Sequence, residues 1–178
     1  MIQQTLSSGE HLLWSGQPRA GVVFRSADAL MIPFSLMWGG FAIFWEATAI
    51  TSESPFFFKL WGIPFVLVGL YMIAGRFFWD SFVRGKTFYG LSDQRVIIVS
   101  SAMGTKVTSL PLRGLPQITL SEKGDGSGTI QFGQSPSMQS AWFAGTAWPG
   151  VQQPPSFDVL ENAKNVYEQI RQAQQRAS

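Results

Sequence analysis

Two apolar runs decide the reading of this chain: Ala29-Leu30-Met31-Ile32-Pro33-Phe34-Ser35-Leu36-Met37-Trp38-Gly39-Gly40-Phe41-Ala42-Ile43-Phe44-Trp45 and Pro55-Phe56-Phe57-Phe58-Lys59-Leu60-Trp61-Gly62-Ile63-Pro64-Phe65-Val66-Leu67-Val68-Gly69-Leu70. The first continues past Glu46 to Ile50, the second to Phe77-Phe78-Trp79, and the polar break Thr51-Ser52-Glu53-Ser54 separates them. At ~1.5 Å per residue, a helix of about 20 residues crosses the ~30 Å hydrocarbon core of a bilayer. The pattern predicts a transmembrane helical hairpin over residues 27–80, with helices at 29–50 and 55–79. The competing reading is a pair of buried helices in a soluble domain. Helix length, together with 15 Phe and 7 Trp, weighs against it.

A chain of 178 residues has room for this hairpin and one small soluble domain. The mean hydropathy of +0.11 is low only because a polar domain dilutes the apolar block. With no cysteine there is neither disulfide nor thiolate metal chemistry, and the single histidine, His11, offers no ligand pair. No metal or cofactor is expected. A formal charge of +2 is too small for a nucleic-acid footprint.

The flanking cations set the orientation. Arg19 and Arg25 precede the first helix, and Arg76, Arg84 and Lys86 close the second, while the turn carries Glu53. The positive-inside rule then predicts a multi-pass inner-membrane protein with both termini cytoplasmic. The first apolar run follows a mostly polar segment and is longer than a signal-peptide core, so no cleavable leader is expected. The same five cations are the residues that would meet an anionic lipid surface.

Within the hairpin, Gly39, Gly40, Gly62 and Gly69 offer small surfaces for helix packing or for docking onto another membrane protein. Pro33 and Pro64 each remove a backbone donor. Glu46 lies six residues before Ser52 and Lys59 six after Glu53, which places both roughly 9 to 10 Å from the turn. Two readings stand for them: an intramembrane Glu46–Lys59 ion pair flanked by Trp45 and Trp61, or independent snorkelling to the interface.

Before the hairpin, residues 1–26 form an N-terminal segment with short apolar bits around Leu12-Leu13-Trp14 and Val22-Val23-Phe24. Trp14 belongs to the soluble core or to the headgroup layer, and Ser26 is placed to cap the first helix. After the hairpin, residues 82–178 change to period-two patterning. Strands are predicted at 86–91, 95–100, 106–112, 117–121 and 128–133. The segment 134–156 has no charged residue and carries Trp142, Phe143 and Trp148. It reads either as a loop touching a partner or lipid headgroups, or as one more hairpin with its aromatics on the core. Val159, Ala163, Val166, Ile170 and Ala173 then recur at helical spacing, predicting a C-terminal helix over 158–174.

Several strands closed by one amphipathic helix follow the order of a pleckstrin-homology-like (PH-like) barrel. Tyr89-Gly90-Leu91-Ser92-Asp93-Gln94-Arg95-Val96-Ile97-Ile98 resembles the Tyr-x-Leu-Thr-Asp-x-Arg-Val segment of membrane-anchored bacterial PH-like proteins. Gly128-Thr129-Ile130 resembles their Gly-Thr-Ile strand, and Gly9-Glu10 with Leu13-Trp14-Ser15-Gly16-Gln17-Pro18 resembles the segment before their paired helices. The resemblance implies an α+β membrane protein whose hairpin carries a PH-like antiparallel barrel. For Arg95 the residues leave a pair with Asp93 or an exposed position.

No Ser/His/Asp set, phosphate-cradling loop or metal cluster is present in the sequence, and no catalysis is expected. The expected role is a membrane-tethered interaction module, in one form an accessory subunit of a larger membrane complex. Its expected partners are membrane lipids and another membrane protein or a second copy. Sensing of an anionic lipid surface is the alternative.

Overall fold

The computed structural model describes residues 2–25, 28–53, 55–115, 117–133 and 154–177. The chain divides into two units, a hairpin unit within 22–80 and a β unit built from the segments 2–21, 81–133 and 154–177.

In the hairpin unit, α1 (Asp28–Thr51) turns into α2 (Phe56–Leu70), which runs on through a π-helical turn (Tyr71–Gly75) into α3 (Arg76–Gly85). The apolar boundaries located both helices. The second continues beyond residue 79 to Gly85, because Asp80, Ser81 and Arg84 end the hydrophobic run without ending the helix. Both helices are long and apolar enough to cross a membrane by length and composition. Pro33 and Pro64 lie inside them without ending them. Ser35, Thr48 and Thr51 return their hydroxyls to backbone carbonyls three or four residues back, so none needs water as its partner.

The buried positions of α1 are Asp28, Met31, Ser35, Gly39, Ala42, Glu46 and Ala49, a 3-4 spacing that draws one seam along the helix. Gly62 and Gly69 are the buried positions of α2. Apart from Met31, this seam is made of small and polar residues, while Phe41, Phe44, Phe56, Phe57 and Leu67 are 60–75% exposed. A soluble helix pair has the opposite arrangement.

The β unit contains two antiparallel sheets. One has the order β1 (Leu12–Gly16), β2 (Thr87–Ser92), β3 (Arg95–Ser100), β4 (Lys106–Pro111); the other has β5 (Ile118–Glu122), β6 (Gly128–Phe132), β7 (Ser156–Leu160). Strands β2 to β6 fall within a residue or two of the positions that alternation predicts. No ladder joins β4 to β5 or β1 to β7 among the described residues, so the strands form two sheets and not a closed barrel. Helix α4 (Ala163–Ala177) lays Ala163, Val166, Ile170 and Ala173 on a core that includes Leu91, Val96, Leu112, Ile130, Phe132, Phe157 and Leu160. Phe157 is the hinge of that core. Its ring stacks on Tyr89 at 4.6 Å, meets Phe132 edge-on at 5.2 Å and lies 5.6 Å from Trp14, which puts Trp14 with the core of the β unit.

The expected helix over 158–174 begins later. Residues 156–160 are a strand, with Ile130 opposite Phe157, and the helix starts only at Ala163. Val159 stands four before Ala163 and so fits the helical period, but its backbone is at φ 48° and Asn162 at φ 53°. Burial of Phe157 and Leu160 on the sheet won over local periodicity. Trp142, Phe143 and Trp148, and the cap expected at Ser26, lie outside the described residues.

Candidate functional site

The candidate site is the face of the hairpin unit that holds Glu46. Where α1 and α2 approach, the Glu46 carboxylate occupies the space in front of Gly62. A Cβ on Gly62 would lie 1.8 Å from Glu46 Oε2 and 3.5 Å from Trp45 Cδ1. Glu46 is buried to 9% exposure, and its Oε2 has no hydrogen-bond partner. The expected Glu46–Lys59 pair is not formed. Lys59 is half-buried, and Gly62, one turn further along α2, is the residue opposite Glu46. Helical Cα–Cβ bonds tilt toward the N-terminus, so in an antiparallel hairpin Glu46 leans away from the turn and Lys59 leans toward it.

The two helices also form a cleft of about 230 Å³ lined by Trp38, Phe41, Ala42, Trp45, Trp61 and Phe65, a lining that does not include Glu46. Its walls belong to a file of rings running from Phe34 through Trp38, Phe65 and Trp61 to Phe57, with centroids 5.6 to 6.4 Å apart. Helical spacing aligns Trp38, Phe41 and Trp45 on α1 and Trp61 with Phe65 on α2. Gly39 and Gly69 lie in the contact between the helices, whereas a Cβ on Gly40 would meet nothing within 4 Å. Of the four glycines expected on a docking face, Gly40 alone faces open space.

The opposite end of the hairpin unit is tied by charge. Asp28 pairs with Arg76 at 2.9 Å, both side chains less than 10% exposed, and the Arg76 guanidinium lies 4.4 Å from the centroid of the Phe77 ring. Arg25 pairs with Asp80 at 3.0 Å, and its backbone N–H donates to Asp28 Oδ2. The sequence reading assigned neither aspartate a partner. The signal was there in Arg25-x-x-Asp28, just before and at the start of α1, and Arg76-x-x-x-Asp80 on α3, acid–base pairs at the same end of the hairpin.

These contacts give partners to most of the five cations expected to flank the membrane. Arg76 and Arg84 are buried. Arg84 donates to the backbone carbonyls of Arg19 and Gly21, and the Arg19 side chain pairs with Asp125 at 3.3 Å. Hydrogen bonds from Ser127, more than the charge of Arg19, hold the Asp125 carboxyl below its usual range. With Arg25 on Asp80, four of the five already serve protein groups, and Lys86 is exposed.

In the β unit, Arg95 pairs with Glu10, not with Asp93. Its Nε and Nη2 reach the two carboxylate oxygens at 2.9 and 2.8 Å. Ser92 Oγ donates to Glu10 Oε1 at 2.6 Å, and the Ser7 N–H donates to Oε2 at 2.8 Å. Arg95 hydrogen bonding pulls the Glu10 carboxyl down to about 2, against the opposing effect of burial, and Glu10 in turn raises Arg95. Asp93 instead accepts the His11 N–H. The cluster fastens the N-terminal segment onto the β2–β3 turn, a structural task for the residues that carried the family resemblance. No group of three or more His, Asp or Glu that could hold a metal occurs among the described residues.

No family model, curated protein or solved structure matches the chain.

Proposed function

We propose that this protein is a membrane-tethered interaction module: the hairpin anchors it in the cytoplasmic membrane, and the PH-like β unit stands on the cytoplasmic side with both termini. In this reading it serves as an accessory subunit beside another membrane protein, with no catalysis of its own. The observation that carries it is the inverted surface of the hairpin. Only 28% and 11% of the apolar windows of its two long helices are buried, and the residues that are buried include Asp28, Ser35, Gly39 and Glu46. Large apolar side chains facing outward from a polar and small seam need a nonpolar solvent, and a bilayer supplies one.

The family resemblance at residues 89–98 and 128–130 supports the PH-like part, as does the order of two antiparallel sheets followed by a C-terminal helix. A lipid-sensing role for the arginines is the weaker reading, because Asp28, Asp80, Asp125 and backbone carbonyls already occupy four of the five cations.

The test uses the absence of cysteine. Single-cysteine variants Glu53→Cys and Lys123→Cys are expressed in a bacterial host and treated with a membrane-impermeant maleimide. The expected result is labelling at 53 in intact cells with the outer membrane permeabilised, and at 123 only after lysis. Equal labelling at both positions would overturn the topology, and extraction of the protein by alkaline carbonate would overturn the anchor.

A further inference from the structure

The β unit has a recess of about 660 Å³ between the β2–β3 turn, the end of β4 and the last turn of α4. Four polar side chains line it, Asp93, Gln94, Arg113 and Arg176, beside apolar Leu13 and Pro111. Its volume falls in the range of ligand clefts, about 300–1,000 Å³.

Local structure sets this lining in place. Leu112 is fully buried, and its N–H donates to the Gln94 carbonyl at 2.9 Å, which seats Arg113 next to the turn. Arg113 Nε donates to the Ala177 carbonyl, so its guanidinium rests on the end of α4. Neither Arg113 nor Arg176 makes an ion pair among the described residues. Two guanidinium groups against the single Asp93 carboxylate leave the recess electropositive.

A guanidinium binds a carboxylate through two parallel N–H donors. Asp93 adds a second condition, because it repels a free anion and accepts from a ligand that carries N–H groups. Its Oδ1 takes the His11 N–H at 3.0 Å, and its Oδ2 accepts no hydrogen bond among the described residues. The Gln94 side chain is exposed and both donates and accepts. Negative charge together with N–H donors describes an acidic peptide.

We propose that this recess binds an acidic segment of a partner polypeptide. Arg113 and Arg176 hold its carboxylates, Asp93 and Gln94 its backbone, and Leu13 with Pro111 its apolar stems. The proposal rests on the interaction-module reading and names the partner's chemistry, but uses nothing of the membrane anchor.

The test presents the full-length protein, in mild detergent at low ionic strength, to a random octapeptide library. Retained peptides are expected to be enriched severalfold in Asp and Glu over the input. Anisotropy of the leading peptide, dye-labelled, then reads the variants. Binding should fall about tenfold or more in the Arg113→Gln, Arg176→Gln double variant. It should weaken with Asp93→Asn and hold with Arg171→Gln, an exposed arginine of α4 outside the recess. Absence of acidic enrichment would overturn the proposal, as would undiminished binding by the double variant or an equal loss with Arg171→Gln. Tighter binding with Asp93→Asn would also overturn it, being the response of a simple anion such as inorganic phosphate. A protein that labels as a membrane hairpin yet selects no acidic peptide removes this proposal alone, and acidic selection by a protein that alkaline carbonate extracts removes only the anchor.

Discussion

Gly39 and Gly69 meet backbone to backbone: a Cβ built on Gly69 would stand 2.9 Å from the Gly39 Cα. Real side chains do not approach so closely, and the obstacle is main chain, which cannot rotate away. Glycine at 69 is what lets α1 and α2 run in contact.

Gly69→Ala is expected to push the helices apart and destabilise the hairpin by about 1–3 kcal/mol, the usual cost of overpacking. Gly40→Ala, where nothing lies within 4 Å, is the matched control and is expected to be neutral. Thermal unfolding in mild detergent reads both. Equal loss in the two variants would show that helix contact at Gly69 is not the cause.

Gly62→Ala has a different obstacle, the Glu46 carboxylate 1.8 Å from the new methyl. A side chain can move, so the damage is expected to depend on Glu46. In a double-mutant cycle, Gly62→Ala should cost less in a Glu46→Ala background than in the wild type, with a coupling of about 0.5–3 kcal/mol. Additive effects would place the strain elsewhere.

The Asp28–Arg76 pair is buried on both sides. Removing one partner by Asp28→Asn or Arg76→Met leaves the other charge uncompensated, and about 3–5 kcal/mol of stability is expected to be lost. Replacing both by apolar residues of similar size should cost less than either single change. Denaturant midpoints in detergent distinguish the cases, and two single variants no worse than the double would contradict a paired charge.

Glu10 makes stability depend on acid. Its carboxyl is pulled from an ordinary 4.5 down to about 2, so the folded state holds the proton less well than the unfolded chain. The stabilisation is complete above about pH 4.5 and is lost as pH falls through about 2, and the gap corresponds to about 3 kcal/mol. Urea midpoints should decline across that window in the wild type and decline less in Glu10→Gln. Parallel declines would assign the acid sensitivity to other carboxylates.

Local patterns reached only part of this structure. Alternation located β2 to β6, and apolar length located both hairpin helices, because each signal is a property of neighbouring residues. The start of α4 was misplaced because Val159 satisfies a helical period while it is a buried residue of strand β7. The depth match of Glu46 and Lys59 counted residues from the turn correctly but omitted the direction in which helical side chains lean. The arginines were read as flanking cations that fix orientation, without protein partners, because Asp28 and Arg76, although 48 residues apart, are neighbours only once the helices fold back. Glu10 and Arg95 were obscured in the same way, their 85 residues of separation closed by the pairing of β1 with β2.

That strand pairing carries one more consequence. Gly16 sits opposite Tyr89 in the ladder, and Arg84 clasps the carbonyls of Arg19 and Gly21, so the chain leaves β1 and re-enters β2 through one buckled crossing. In topological terms the two long helices are an overgrown turn between adjacent antiparallel strands. The helical hairpin is an insertion whose ends already meet, and a sheet closed in this way can exchange or lose the insertion without changing its own strand order.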